Sequence, residues 1–374
     1  MEIFTLDRNY LKRDMIDGFN SVIWTERYYG DSDVELIVPA SKEMIQKLPE
    51  GVFLGLTGSN DIMIVESANI EEGKLKVTGI ALLPWMNNRF IRTSANHDDQ
   101  YWELTGVPGK MLWDIINGMC VAGSPYLTGA TPIGIANPQQ LAIPGLGLID
   151  YDKSGVSITY AVPYGPVYDA MREIATTYEI GMQIIAVPKS GGGYTLGFRS
   201  YKGLNRTSSQ TANKSVRFSP QMDSLANIKE LRSIAALKTR VYAFAPGKLG
   251  TITNGLGPGT SFRTGEQYTG FDLRAQMIFA SDINTDMLGG SQAKLTNILN
   301  TRAADALANA SYIKAVDGEI VPTNQFKYGI DYNLGDVIEV QGNSEIIQSS
   351  RVTEYIRAQD EAGERAYPTV AALS

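Results

Sequence analysis

Residues 1–92 alternate short apolar segments with turn residues, a pattern that predicts a series of β-strands. The segments are rich in β-branched and aromatic residues, and glycine, aspartate or proline bounds each of them. In the triplet Glu71-Glu72-Gly73, an acidic pair and a glycine separate two such segments, which predicts a hairpin turn. The predicted strands cover residues 1–6, 19–29, 33–38, 52–57, 61–69 and 74–82.

From Pro108 the hydrophobic period changes. The segment GKMLWDIINGMCVAG carries apolar residues at three- and four-residue steps and stops at Gly123, which predicts an amphipathic helix. A Gly- and Pro-rich loop is predicted over 123–147 and a strand over 156–160. A second helix is predicted over 167–178, followed by strands at 182–187 and 194–198 around a turn at Gly191–Gly193.

The C-terminal part returns to strands after a polar, turn-like segment at 203–215. The clearest helix of the chain is predicted over 291–310, where Leu295, Leu299 and Leu307 share a stripe and Ser291 is a candidate N-cap. That stripe could face a partner subunit, although packing on its own domain is the commoner arrangement. Strands are predicted at 216–218, 240–245, 271–281, 319–321, 337–341 and 350–356, and a meander or exposed loop at 247–270.

These patterns together predict an α+β, β-dominated fold, with two β-barrel-like modules and an inserted helix-containing α+β module. We place the first barrel-like module at 1–94, completed by about 216–246, the inserted module at 95–215, and the second barrel-like module at 247–374, with its helix near 291–310. A fixed repeat of solenoid or propeller length is not visible.

Composition supports a fully folded, turn-rich β protein. Hydrophobic residues make up 43% and charged residues 20% of the 374, and there are 37 glycines, 16 prolines and 19 tyrosines. The net charge is −7 and no dense Lys/Arg cluster occurs, which argues against a dedicated nucleic-acid binder. The N-terminus lacks a signal-peptide pattern and no long apolar run follows, so a protein that is made and kept in the cytoplasm, without stable membrane association, is expected.

Candidate chemistry is sparse. The only histidine of the sequence, His97, lies in the polar segment TSANHDDQYWE, so a Ser/His/Asp triad is improbable, and the adjacent Asp98 and Asp99 are poorly placed to share a metal ion. The only cysteine, Cys120, sits in an apolar stretch and is expected to be a small buried hydrophobe. No catalytic, cofactor-binding or metal-binding residue is assigned, and no cofactor is expected.

Two further features have simple structural interpretations. Asp331 and Asp336 in YGIDYNLGDVIEV could belong to a carboxylate pair, but they are more simply turn acids that accept backbone N–H groups. The glycines at 191–193 and 247–259 do not form a phosphate-binding motif between a strand and a helix, so they are interpreted as turns.

Several segments resemble the tail-hub family of siphophage minor tail proteins. The opening LDRNYLKRDMIDGFNSVIWTERYYGDSDVELIVP resembles the start of these proteins, and IVESANIEEGKLKVTGIALLPWMNNRFI resembles the segment that ends in an arginine, here Arg89 or Arg92. SVRFSPQMDSLANIKELRSIAALKTRVYAFAPG is similar to their following barrel strands. FKYGIDYNLGDVIEVQ and SSRVTEYIRAQDEAGERAYPTV are similar to their C-terminal barrel. The similarities cover nearly the whole chain in the right order.

This resemblance implies a structural protein of the virion and not an enzyme. It implies a homotrimeric ring at the tail tip that adapts the sixfold tail tube to threefold structures below it. The expected partners are the distal tail protein, the tape-measure protein and tail-tip or central-fibre proteins, with DNA only passing through the channel at ejection. An acidic wall would avoid trapping that DNA.

Two alternatives remain open at this point. A distal tail protein or another baseplate component would share the β-rich composition but form a hexamer. A cell-wall hydrolase or carbohydrate-binding tail protein would need paired carboxylates in a groove flanked by Trp85, Trp102 or Trp113.

Overall fold

A computed structural model describes residues 1–91, 101–122, 142–246, 256–262, 268–281, 291–310, 312–321 and 325–373. The chain divides into two compact units. The first comprises Met1–Asn227, Gly318–Gln341 and Ile347–Ser374, and the second comprises Ile228–Asp317 and Gly342–Ile346. This division differs from the three predicted modules, whose boundaries remain a prediction.

The first unit is built around one eleven-stranded sheet. Its strands are β1 (Ile3–Leu6), β2 (Lys12–Ile16), β3 (Ser21–Arg27), β4 (Asp33–Pro39), β5 (Phe53–Leu56), β6 (Ile62–Glu71), β7 (Lys74–Ala81), β13 (Arg217–Phe218), β19 (Val337–Gln341), β20 (Ile347–Asp360) and β21 (Gly363–Ala372). The order is β13-β19-β20-β3-β4-β7-β6-β5-β1-β2, and β21 pairs with β20. All pairings are antiparallel except β13 with β19.

The same unit carries smaller elements that cover this sheet. The strands are β8 (Tyr101–Gly106), β9 (Leu146–Asp150), β10 (Ile158–Pro163), β11 (Gly181–Pro188) and β12 (Tyr194–Tyr201), and the helices are α1 (Lys42–Lys47), α2 (Leu82–Trp85), α3 (Pro108–Cys120) and α4 (Val167–Thr177). β8 pairs with β10, and β12 pairs with both β11 and β9. The amphipathic stripes of α3 and α4 pack into one hydrophobic core with β11 and β12.

The second unit contains a three-stranded sheet covered by one helix. The elements are β15 (Arg240–Pro246), β16 (Leu256–Phe262), β17 (Ala275–Phe279) and α5 (Gln292–Asn309). Leu295, Leu299 and Leu307 of α5 are buried against alternate residues of β15, so the interpretation of this stripe as a core stripe is confirmed. Ser291 caps α5, as predicted, by accepting the backbone N–H of Lys294. Two more strands, β14 (Leu225–Ser233) and β18 (Ile313–Ile320), pair with each other, and most of each strand belongs to this unit.

The α+β, β-dominated class is confirmed. Within the described residues the large sheet is not hydrogen-bonded into a closed barrel, since its ends β13 and β2 do not pair with each other. The predicted hairpin turn is confirmed: Glu71 pairs with Lys74, and Glu72 and Gly73 have φ of 49° and 74°, as a two-residue turn with left-handed central residues requires.

Candidate functional site: a polar cavity in the first unit

A polar cavity of about 540 Å³ lies within the first unit. Five parts of the chain that are distant in sequence converge on it: β3, the turn after β5, the paired strands β11 and β12 with the loop after β12, the loop before β19, and β20. Its lining is Glu26, Gly58, Asn60, Gln183, Arg199, Tyr201, Lys202, Gly203, Leu204, Tyr328, Gly329, Asn333, Leu334, Asp336 and Arg357. Most of these groups are polar, so the cavity offers hydrogen-bonding and charged groups more than apolar surface.

One wall holds a buried ion pair. Arg357 donates from Nη1 to Oε1 of Glu26 (2.5 Å) and from Nη2 to the carbonyl oxygen of Gly58 (3.0 Å). The side chains of Arg357 and Glu26 are 14% and 6% exposed, so solvent screens the pair weakly. The hydroxyl of Tyr328 donates to the other oxygen of Glu26 (3.3 Å), and its ring stacks on Tyr355. Both oxygens of Glu26 are therefore engaged.

A second buried ion pair also involves a residue of the lining, Asp336. Asp336 accepts from Nε of Arg206 (2.5 Å) and from the backbone N–H groups of Leu204 (2.7 Å) and Asn333 (3.0 Å). Asp331 accepts from the backbone N–H of Lys327 (2.8 Å). Both aspartates are therefore turn acids, as predicted. Asp336 is in addition buried, and it joins two loops that are separated by more than a hundred residues.

A chain of polar side chains links Asp61 to Arg199 through an amide. Gln183 donates from Nε2 to Oδ1 of Asp61 and accepts at Oε1 from Nη2 of Arg199 (2.9 Å). The pKa of Asp61 is raised to about 7. Burial is the largest cause and the negative charge of Glu26 also raises it, whereas the hydrogen bonds from Gln183 and Ser32 and the charge of Arg199 lower it. Asp61 therefore titrates near neutral pH.

The buried carboxyl of Asp61 gives the folded protein a specific pH dependence. Its pKa is raised above the unfolded value of 3.8, so between pH 4 and pH 7 the folded state binds more protons than the unfolded state, and Asp61 lowers stability as pH rises. Asp61→Asn keeps the acceptor oxygen without a charge. We expect the difference in free energy of unfolding between the variant and the unmodified chain to increase from pH 4 to pH 7 and to level off above it. Urea denaturation across that range measures it, and a pH-independent difference would contradict the assignment.

Tyr28 lies beside the cavity-lining Tyr201, whose ring it contacts edge-on. It is fully buried, and its hydroxyl lies 3.0 Å from the carbonyl oxygen of Glu179 and 3.2 Å from that of Tyr201. Burial raises the pKa of Tyr28 to about 12 and also raises the pKa of Tyr201 and Tyr328. These phenols are therefore neutral hydrogen-bond donors at physiological pH.

The remaining candidate residues from the sequence lie elsewhere. His97, Asp98, Asp99 and Arg92 fall outside the described residues, as does most of the 247–259 segment. Trp102 belongs to the largest hydrophobic core, and Trp85 and Trp113 pack against it, so none of the three flanks the cavity. In the described part of the chain, no group of three His, Cys, Asp or Glu side chains could hold a metal ion. The two carboxylates that line the cavity, Glu26 and Asp336, are each paired with an arginine.

Cys120 is buried in the core, as predicted, and burial raises the pKa of its thiol to about 12. Because the thiolate is the reactive form, native protein at pH 8 should react with a thiol reagent far more slowly than protein unfolded in urea. A chromogenic disulfide reagent measures both rates on this single site. Labelling of the native chain at the rate of the unfolded chain would contradict the burial.

Among the described residues, no helix is long and apolar enough to span a membrane.

Sequence comparison places the chain in a viral family. The model of the siphovirus ReqiPepy6 Gp37-like proteins matches residues 1–370. The chain belongs to this family. The predicted membership of a siphophage tail-protein family is thereby confirmed. Comparison with curated proteins gives no match.

The fold of this siphovirus protein is also found among solved tail proteins. The 43 kDa tail protein of prophage MuSo2 from Shewanella oneidensis is similar over 99% of this chain and 98% of its own, with a TM-score of 0.53 and 10% identity. A tail protein from Neisseria meningitidis is also similar, with a TM-score of 0.49 and 10% identity, over 100% of this chain and 96% of its own. So is the prophage tail protein gp18 from Listeria monocytogenes, with a TM-score of 0.49 and 11% identity, over 100% of this chain and 94% of its own. The shared fold rests on the first of these. The siphovirus protein thus shares the fold of a solved prophage tail protein.

Proposed function

We propose that the chain is the tail-hub protein of a long-tailed phage, located at the tip of the tail. The observation that carries the proposal is the family match over residues 1–370 together with a fold shared with a prophage tail protein over almost the whole of both chains. A likeness that extends over both units supports a role for the whole chain in tail architecture.

In this role three copies form a ring that closes or adapts the end of the tail tube. The ring contacts the distal tail protein and the tape-measure protein on one side and tail-tip or central-fibre proteins on the other. These partners follow from the resemblance of the sequence to tail hubs, and the protein is assembled in the host cytoplasm before it becomes part of the virion.

The charge of the chain is compatible with a passage for DNA. A net charge of −7 gives a ring of three copies an acidic balance, and acidic walls repel the phosphate backbone instead of binding it. In this proposal DNA passes through the ring at ejection without forming a stable complex, and the protein acts by architecture and not by catalysis. Cell-wall degradation is assigned to other proteins of the particle.

The test combines location with stoichiometry in virions of the encoding phage. Antibody-gold electron microscopy should label the tail tip, and quantitative mass spectrometry with a major tail protein as internal standard should give three copies per particle. Six copies would instead support a distal-ring component. Label away from the tip, or no label, would contradict the hub proposal.

A further inference from the structure

Arg199 is the unusual residue of the polar cavity. Its guanidinium lies over the ring of Tyr201, 4.9 Å from the ring centroid, and Nη2 donates to the amide oxygen of Gln183. The Nε atom is buried and, in the described part of the chain, has no hydrogen-bond partner. A buried donor without a partner lowers the stability of the folded state, so native proteins retain few of them.

The charge of Arg199 is also uncompensated by a direct partner. In the described residues no carboxylate forms an ion pair with it, because Gln183 stands between Arg199 and Asp61. Since the pKa of Asp61 is raised to about 7, with burial as the largest cause, that carboxyl carries only part of a negative charge near neutral pH. Arg199 is therefore held in place by neutral groups while its charge remains available.

The other charged side chains that line the cavity are either paired with an opposite charge or left without an ion-pair partner among the described residues. Glu26 and Asp336, which would repel an anion, are each neutralised by an arginine, Arg357 and Arg206 respectively. Lys202 is exposed, lines the same cavity, and forms no ion pair within the described residues. The cavity thus presents two available positive charges and no available negative one, with neutral donors from Asn60, Asn333 and Tyr201 on the same lining.

We propose that this cavity is a binding site for a small oxyanion, a carboxylate or phosphate compound, with Arg199 as its principal ligand and Lys202 as a second positive charge. Arginine recognises both groups because its planar N–H fork matches two oxygens of a carboxylate or phosphate. A volume of about 540 Å³ suits a small organic molecule. The site lies entirely within the first unit and does not depend on the hub assignment.

The test is titration calorimetry of the full chain at constant ionic strength, with inorganic phosphate and malonate as the two probes and chloride as reference. At least one probe should bind saturably, and the preferred probe identifies the class of ligand. Arg199→Gln should weaken that binding by at least about tenfold, since it removes a charge-assisted pair of hydrogen bonds. Lys202→Gln, at an exposed position, should weaken it a few-fold with the fold intact.

Two further variants test whether any loss of binding is specific to the guanidinium group of Arg199. Arg199→Lys keeps the charge but removes Nε and the planar fork, so it should also lose most of the affinity even if Arg199→Gln fails to fold. Arg365→Gln removes an exposed arginine paired with Asp360 outside the cavity, and it should bind like the unmodified chain. Absence of saturable binding by both probes would overturn the proposal. Equal affinity in Arg199→Lys and Arg365→Gln would overturn it as well, because the anion would then bind somewhere else.

Discussion

Asp336→Ala is expected to lower the free energy of unfolding by about 3–5 kcal/mol, because it breaks a buried ion pair and leaves the other charge without a partner. Asp336 and Arg206 are 3% and 10% exposed at their side chains, so water cannot replace the lost carboxylate easily. The backbone N–H groups of Leu204 and Asn333 lose their acceptor in the same change. The two loops that Asp336 joins are therefore loosened together.

The matched control is Asp360→Ala, which removes an aspartate that is also paired with an arginine, but on the surface. The side chains of Asp360 and Arg365 are 34% and 55% exposed. Exposed ion pairs contribute about 0–1 kcal/mol, so the control should change stability by no more than that. Urea denaturation of both variants gives the comparison. A loss at Asp336 as small as that at Asp360 would show that the buried pair does not stabilise the first unit.

The elements that the sequence predicts well are those in which the hydrophobic pattern and the burial coincide. In β4 the residues Val34, Leu36 and Val38 are buried and their neighbours are not, which is the alternation expected of a strand with one face on the core. In helix α5 the buried residues recur with the helical period, and the helix begins after the predicted N-cap, Ser291. In these segments the local sequence pattern and the tertiary packing favour the same secondary structure.

Three of the elements that we did not predict from the sequence lack that pattern. β2 (KRDMI) has four exposed residues of five, so its pairing with β1 leaves no hydrophobic signal. α1 is six residues long and buries none of them. β21 contains Pro368, a residue that rarely lies inside a strand, but in the described residues β21 pairs only with β20, and an edge strand tolerates proline.

The cavity could not be predicted, because its residues come together only through long-range strand pairing. Glu26 is the one position with a readable signal: Val22 and Trp24 precede it at alternate positions on the buried face, and an acid at the next inward position implies a buried partner. The partner is Arg357, and it reaches Glu26 because β3 pairs with β20. The local sequence of neither strand predicts this pairing.

The backbone packs closely against the Tyr28 ring at two glycines, and the sequence does not predict this packing either. A Cβ atom at Gly181 or at Gly335 would lie 2.2 Å from the Tyr28 ring, and Gly335 also has a φ of +85°. Both glycines are therefore required by one aromatic side chain that is more than a hundred residues away. From the sequence they are indistinguishable from the many glycines that punctuate turns.

Tyr28→Ala should consequently cost about 3–5 kcal/mol of stability, the range for removing a large buried aromatic side chain. The ring is fully buried and makes an edge contact with the ring of Tyr201 at 5.4 Å, and the guanidinium of Arg351 lies 5.4 Å from its centroid. Its removal leaves a void beside Gly181 and Gly335, and glycine has no side chain that could move into that void. Thermal and urea unfolding measure the loss.

Tyr28→Phe separates the ring from the hydroxyl. The phenylalanine keeps the volume and removes one hydrogen bond, so the expected loss is only about 1 kcal/mol. Either carbonyl, of Glu179 or of Tyr201, can accept the single hydroxyl hydrogen, so one of them is without this donor even in the unmodified chain. The predicted order is therefore a small loss for Phe and a large one for Ala. If the two variants lost the same stability, the hydroxyl and not the packing of the ring would hold this part of the first unit together.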